Sequence, residues 1–345
     1  MVLDGLLVRA DSNVSVVHVF LRSSESAGFA VRLASREMMD GSSEKSSGFV
    51  RRSGFECKFS GSESWVILSP IEQSIKRKIE AVGTPLKDWD VSINYGIKTG
   101  CNEAFIVDEE RRSEILSWCK SPAERKRTDE LIRPILRGRD IKRYGYDWAH
   151  LYLIATHNGI PEKGIPRIDV KDYPAIKRHL DQYWDKISVR ADMGDTPSHL
   201  RSCAYMDDFS KPKIVWAELV RTGNAFVSDA DGFMVGNTGY VLTTSDSPER
   251  TLPHLLGVLN SKIMLYYLDQ ISTKMDMTGW RWLRQHVELL PIAPLAQSQE
   301  FERLVIETNA TNQSRHKAAL DNIVAEMYNL SNAEINYIRE KIGNF

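Results

Sequence analysis

Lys98 and Thr99 lie between two glycines in Gly96-Ile97-Lys98-Thr99-Gly100, a setting that could cradle phosphate. A P-loop needs a glycine directly before its lysine and another five residues upstream, so that backbone N–H groups converge on the phosphates. Ile97 and Ser92 occupy those positions. The segment therefore reads as a turn in which glycine supplies positive φ. Lys98, Thr99 and Asn102 remain as donors that could meet a nucleic acid. A nuclease reading rests on Asp108, Glu124 and Lys126, which fit a loose D…E-x-K pattern. Ser121-Pro122-Ala123-Glu124 is also a capping box, so the same residues read more simply as a helix start with a solvated face. No G-x-S-x-G, H-E-x-x-H or calcium loop occurs. The eight histidines are scattered, and His157 and His286 receive no role. Cys57, Cys101, Cys119 and Cys203 lack the spacing of a zinc knuckle, so they read as reduced thiols.

Methyl transfer from S-adenosylmethionine to a base amine would need a glycine-rich turn after a strand. It would also need an Asn/Asp-Pro-Pro-aromatic tetrapeptide, whose oxygens hold the amine while the ring stacks on the flipped base. The chain has no Pro-Pro dipeptide.

A basic surface is what remains. Lys120 to Arg143 holds nine basic residues against four acids, inside a chain of net charge −1. Arg137-Gly138-Arg139 and Lys142-Arg143-Tyr144 form a glycine-broken loop suited to phosphates. The second candidate is Lys274 to Arg284, where Trp280-Arg281-Trp282 interleaves cation and aromatic. It reads as a loop anchored at both ends. If the tryptophans pack inward, Arg281 points out, where its fork could address guanine.

The elements that must position these residues follow from pattern. At 345 residues, 42% hydrophobic and 26% charged, the chain is an ordinary globular protein of about two domains. The N-terminus shows no signal peptide and no run reaches the roughly 18 apolar residues of a membrane span, so a cytoplasmic protein is expected. Val14 to Leu21, Phe29 to Leu33 and Trp65 to Leu68 read as strands, and Asp40 to Ser47 as a loop or linker. Ser69, Pro70 and Glu72 open a helix that Gly83 ends. Trp89 to Tyr95 and Phe105 to Val107 read as the arms of a hairpin. Leu151 to Ile154, Ile214 to Trp216, Ala225 to Val227, Tyr240 to Leu242 and Val287 to Leu290 read as strands. Tyr173 to Val189 and His254 to Ile271 read as helices. Beyond Gln297 the spacing is helical, and a further capping box pairs Ser331 with Glu334. The expected class is α+β: a mixed strand-rich body with flanking helices and a helical C-terminal end.

The order of segments resembles one family. The runs are 65–72, Gly83 to Trp89, Ile93 to Phe105, Ile135 to Ile141, Lys211 to Trp216, Leu256 to Lys262, Leu289 to Pro294 and Ile323 to Ser331. Over about residues 60 to 345 the chain is similar to the C-terminal part of large adenine-specific DNA methyltransferases of bacterial restriction-modification systems. That part is the TaqI-like C-terminal specificity, or target-recognition, domain. The resemblance implies sequence-specific recognition of double-stranded DNA, with a methyltransferase domain or subunit as partner. S-adenosylmethionine is implied for the complete enzyme and maps onto no residue here. In the family a methyltransferase domain precedes this region, and only its last strands, Val14 to Leu33, could remain. The expected divisions are 1–60 as residual strands and linker, 61–296 as the target-recognition domain and 297–345 as C-terminal helices. The competing classes are a scaffold that docks a separate methyltransferase or nuclease, and a nuclease in its own right.

With neither the cofactor turn nor the Pro-Pro motif, the 345-residue chain should give no saturable heat with S-adenosylmethionine in isothermal titration. Micromolar binding would overturn that expectation.

Overall fold

Serine caps set three helix starts, two of them as the full capping boxes expected and the third as a cap alone. The Ser69 N–H donates to Glu72 Oε2 at 2.7 Å, and the Glu72 N–H returns to Ser69 Oγ, opening the helix Pro70–Val82. Ser331 and Glu334 repeat the arrangement at Asn332–Ile342. Ser121 caps Pro122–Leu131, while Glu124 reaches the Lys120 N–H instead of the cap's own. The computed structural model describes residues 16–20, 29–34, 55–57, 68–221, 223, 225–276, 279–295, 299–311 and 313–343. The chain divides into two compact units, Met1–Lys78 and Ile79–Phe345. In the first, strands Val16–Phe20, Phe29–Ala34 and Phe55–Cys57 form an antiparallel sheet. The expected loop at 40–47 and most of the expected strand at 65–68 lie outside the described residues, and Leu68 belongs to no regular element.

The second unit is α+β, as its pattern implied. One antiparallel sheet runs in the order Phe226–Asp229, Lys213–Ala217, Gly239–Thr244, Val91–Tyr95. Phe226, Trp216, Tyr240 and Tyr95 stand opposite one another on its four strands, one aromatic per strand. Their ring centroids lie 5.5, 5.0 and 4.7 Å apart along the row. Trp282 closes the inner end, stacked on Phe226 at 5.7 Å. Such cross-strand aromatic pairs add stabilisation beyond their buried area. In the same sheet Lys213 and Asp229, directly opposite and fully buried, form an ion pair of 2.5 Å. Lys213 Nζ also donates to the Phe209 carbonyl, and Asp229 accepts the N–H groups of Asp231 and Phe233. A second sheet has the order Met234–Val235, Ile132–Leu136, Leu151–Ile154, Ile106–Asp108, with its first pair parallel.

Several expectations need correction. Val91–Tyr95 and Ile106–Asp108 are not a hairpin: the first pairs with Gly239–Thr244 and the second with Leu151–Ile154, in different sheets. The glycine-rich turn between them is a crossing, and Phe105 ends a short helix, Asn102–Phe105. Residues 287–290 are not a strand. The Val287 N–H bonds to the Leu283 carbonyl and the Leu290 N–H to that of Val287. Val287 and Leu290 are buried while Leu289 is half exposed, a three-residue spacing that belongs to helical turns. The strand comes after, at Pro291–Ile292 against Thr84–Pro85. Residues 274–282 are not a loop but strands Thr273–Asp276 and Gly279–Arg281, joined on the far side by Leu219–Val220. The helix expected at 173–189 is two, Pro174–Asp181 and Trp184–Ile187, separated by i→i+3 bonds at Gln182 and Tyr183. The helix expected at 254–271 is also two, Pro248–Leu259 and Lys262–Ile271, because Ser261 caps the second by accepting the Met264 N–H.

Asn260, at that break, reaches the sheet. Its Oδ1 accepts the Phe226 N–H at 3.1 Å and its Nδ2 donates to the Phe226 carbonyl at 2.8 Å. The amide thus stands in for a neighbouring strand. The helical end is fastened by Tyr328, whose hydroxyl donates to the Pro291 carbonyl at 2.7 Å and accepts the Ala293 N–H at 2.8 Å.

Asn260→Ala leaves a buried Phe226 N–H without an acceptor. It should lower stability by about 1–3 kcal/mol, read as a reduced urea midpoint with an unchanged m-value. An unaltered midpoint would show that the amide is replaceable there.

Candidate nucleic-acid interface

The turn Gly236-Asn237-Thr238-Gly239 touches three of the segments singled out in the sequence. The Ile97 N–H donates to the Val235 carbonyl at 2.7 Å and the Gly96 N–H to the Gly239 carbonyl at 2.9 Å, fixing the Lys98 turn. The Gly236 N–H donates to Leu136 and the Gly138 N–H to Thr238 Oγ1, fixing the start of the basic loop. The Glu218 N–H donates to the Thr238 carbonyl, and the Glu218 carbonyl accepts the Trp282 N–H, fixing the 279–282 strand end. The approach at Gly96 is so close that a Cβ there would lie 2.0 Å from the Gly236 carbonyl oxygen. Only glycine fits. Parallel pairing of 234–235 with 135–136, and of Gly236 with Ile97, carries all three chains out of the sheets in one direction.

The predicted residues play different parts around this turn. Lys98 is exposed. Thr99 is buried, and its hydroxyl donates to Oδ1 of the exposed Asn102 at 2.6 Å, so the pair braces the turn. Arg137 is held by four hydrogen bonds to buried Asp140, three of them from its guanidinium. That carboxylate raises the guanidinium pKa above its ordinary value. Arg143 is half-buried and paired with Asp321 at 3.1 Å; Asp321 in turn accepts the Lys262 N–H, tying the loop to two helices. Arg139 and Lys142 are the exposed cations of the loop. Lys142 Nζ donates to the Arg139 carbonyl. Lys274 lies on the strand Thr273–Asp276, opposite Trp280. Trp280 is half-buried, its indole N–H on Asp269 at 2.6 Å. Trp282 is fully buried, as the expected inward packing required. Arg281 is half exposed and its Nε donates to Glu218 Oε1 at 2.7 Å. That contact braces a side chain that is otherwise half exposed.

The sequence reading missed the turn itself and what lies beside it. Tyr95, Lys98, Cys203, Tyr205, Arg201 and Asn237 line a cleft of about 460 Å³. Burial pushes the Cys203 thiol up to about 11 and the Tyr205 hydroxyl up to about 12, so both stay protonated at neutral pH. The Gly-Asn-Thr-Gly string was the signal available, a turn formed by residue type alone.

Two residues of the nuclease reading have local structural partners. Asp108 caps Glu109–Ser117 by accepting the Arg111 N–H, and Glu124 is buried against Lys120. Among the described residues no group of three or more His, Cys, Asp or Glu could hold a metal ion, and no helix is long and apolar enough to cross a membrane.

Comparison with known proteins agrees with this architecture. Residues 133–292 match the family described as TaqI-like C-terminal specificity domain. Type II methyltransferase M.BstVI of Geobacillus stearothermophilus is 26% identical over 318 residues, covering 90% of this chain and 51% of that protein. Type II methyltransferase M.PaeR7I of Pseudomonas aeruginosa is 24% identical over 277 residues, covering 79% and 44%. The chain thus spans about half the length of the curated relatives it matches. Among solved structures, the Type IIL restriction-modification enzyme MmeI in complex with DNA aligns with a TM-score of 0.51 at 14% identity, over 75% of this chain and 36% of that one. That likeness is one of fold. The basic loop, the Gly236–Gly239 turn and the Arg281 hairpin all fall inside residues 133–292, the segment that matches the TaqI-like C-terminal specificity domain.

Proposed function

We propose that this chain is the DNA target-recognition portion of a restriction-modification adenine N6-methyltransferase. The observation that carries the reading is the match of 133–292 to the specificity domain, because that segment holds the turn on which the candidate contact loops converge. The curated relatives named type II methyltransferases support the same assignment. Methyl transfer itself belongs to a methyltransferase domain or subunit that supplies S-adenosylmethionine. At the glycine-rich crossing the close approach of Gly96 to Gly236 is filled by protein backbone, which leaves no cradle for that cofactor there. No step of the chemistry is assigned to this chain.

In this reading, exposed Arg139 and Lys142 contact phosphates and set register, which carries no sequence information by itself. Lys98 adds a third cation beside the same turn. Arg281 reads a base edge. Its pairing with Glu218 engages Nε and holds the guanidinium in place, and the other two nitrogens would fork onto guanine O6 and N7. Arg137 and Arg143 shape the loop from within through Asp140 and Asp321.

Salt-dependent binding to duplex DNA tests the reading as a whole, and single replacements separate the roles. Arg139→Ala and Lys142→Ala should each lower the slope of log affinity against log salt by about 0.9 for every duplex alike. Arg137→Ala and Arg143→Ala should instead lower the thermal midpoint. If the exposed pair leaves every affinity unchanged, that loop is only a solvated face.

Arg281→Ala should relax preference at one position of the recognised site, by about 1–3 kcal/mol of discrimination, and leave non-specific affinity nearly intact. Arg281→Lys keeps the charge and loses the fork. Selection from randomised duplexes with wild type and both variants decides the matter; an unchanged consensus would leave Arg281 as the surface partner of Glu218.

A further inference from the structure

The aromatic row of the first sheet ends in the open. Trp282, Phe226, Trp216 and Tyr240 are buried, and the last ring, Tyr95, is 49% exposed. It stands on the edge strand Val91–Tyr95, at the wall of the 460 Å³ cleft that also holds Tyr205 and Asn237. The Tyr95 ring is tilted 40° from that of Tyr240 and is left half exposed at the cleft, where a flat ring could pack against it. Around that face lie the groups a nucleotide needs. Asn237 is exposed on a turn fixed by hydrogen bonds to three other segments, and an amide offers a donor and an acceptor side by side. Lys98 and Arg201, both exposed, flank the same cleft, with Arg201 paired to Asp192 at 2.7 Å. Among the described residues the side chains of Lys98 and Asn237 make no hydrogen bond or ion pair.

Shape decides between two ways of meeting DNA. Base edges in a duplex lie at the floor of a groove roughly 8.5 Å deep, so they are read by elements that protrude. A concave site receives what protrudes from the nucleic acid, which is a base that has left the stack. We propose that the cleft holds a single unstacked nucleobase against Tyr95, with the Asn237 amide on its edge and Lys98 and Arg201 on the flanking phosphates. The inference rests on the DNA-binding reading above and adds to it a site for a base out of the helix. No covalent step is involved; Cys203 in the cleft is a protonated thiol.

The test uses the full 345-residue chain and labelled single strands of about eight nucleotides, within the usual footprint of such sites. Strands of thymidine or deoxyadenosine are compared with a strand of the same length built wholly of abasic residues, at one salt concentration. Base-bearing strands should bind about tenfold tighter, the usual effect of one stacked base. Tyr95→Ala should remove that advantage without changing affinity for the abasic strand, and Tyr95→Phe, which keeps the ring, should retain it. A strand carrying 5-iodouracil should photocrosslink to the peptide containing Tyr95 in the unmodified protein, a readout that needs no variant to fold. Equal affinity for base-bearing and abasic strands in the wild type, with salt-dependent duplex binding intact, overturns the base site and leaves DNA recognition standing. Loss of duplex binding as well removes both.

Discussion

The close approach of two backbones at Gly96 and Gly236 is the constraint on which the rest of the surface depends. A side chain at Gly96 would lie 2.0 Å from a carbonyl oxygen, so any larger residue forces the strands apart. Separation there would release the Ile97–Val235 and Gly96–Gly239 hydrogen bonds together. It would disturb the Gly138 and Glu218 contacts next, because both rest on Thr238. Segments distant in the chain are therefore positioned by one four-residue turn. Its rigidity comes from backbone hydrogen bonds, which cost little side-chain entropy to order. Loops anchored this way can be accessible and well placed at once.

Beneath the turn, the sheet is organised by two unlike interactions. The aromatic row fixes register by size and shape, since a slip of one residue would send each ring to the opposite face. The Lys213–Asp229 pair fixes it by charge. Both groups are fully buried, and burial alone lowers the lysine pKa, so the pair is sustained by its additional hydrogen bonds to Phe209, Asp231 and Phe233. Buried ion pairs are poor sources of net stability, but breaking one leaves an uncompensated charge. A mispaired strand would do that. The pair thus penalises wrong registers more than it rewards the right one.

The sequence made the local features legible and the long-range ones largely not. Ser69, Ser121 and Ser331 announced helix starts because capping uses residues only three apart. Strand identity at 151–154, 214–216 and 240–242 followed from short β-branched and aromatic runs. Pairing was another matter. Nothing local distinguishes a turn that reverses within one sheet from one that crosses to another, and so the hairpin at 89–107 was misread. Val287 and Leu290 looked like a strand because a four-residue apolar run fits either period. The basic loop was visible as composition, but Arg143 is half-buried through its pair with Asp321, 178 residues away in sequence, while Arg139 and Lys142 stay exposed, Lys142 only 3.9 Å from Asp147. Asn237 carried no signal beyond turn propensity.

That division bears on how a chain of net charge −1 could address a polyanion. Counting basic residues overstates the field a ligand meets. Arg137 and Arg143 are neutralised within hydrogen-bonding distance, and at physiological ionic strength a ligand beyond about 8 Å senses little of such paired charge. Lys98, Arg139 and Lys142, the last 3.9 Å from Asp147, are exposed cations on segments that meet at one turn. A few cations held in fixed relation favour one docking register over its neighbours, whereas a diffuse basic coat would bind every register alike. The ion-paired arginines serve the same end indirectly. Arg143 through Asp321 locks the loop to the helices 262–271 and 314–327, so that Arg139 and Lys142 project from a fixed backbone. Weak electrostatics and a stiff scaffold together suit recognition that must discriminate among sequences more than it must hold tightly to any one of them.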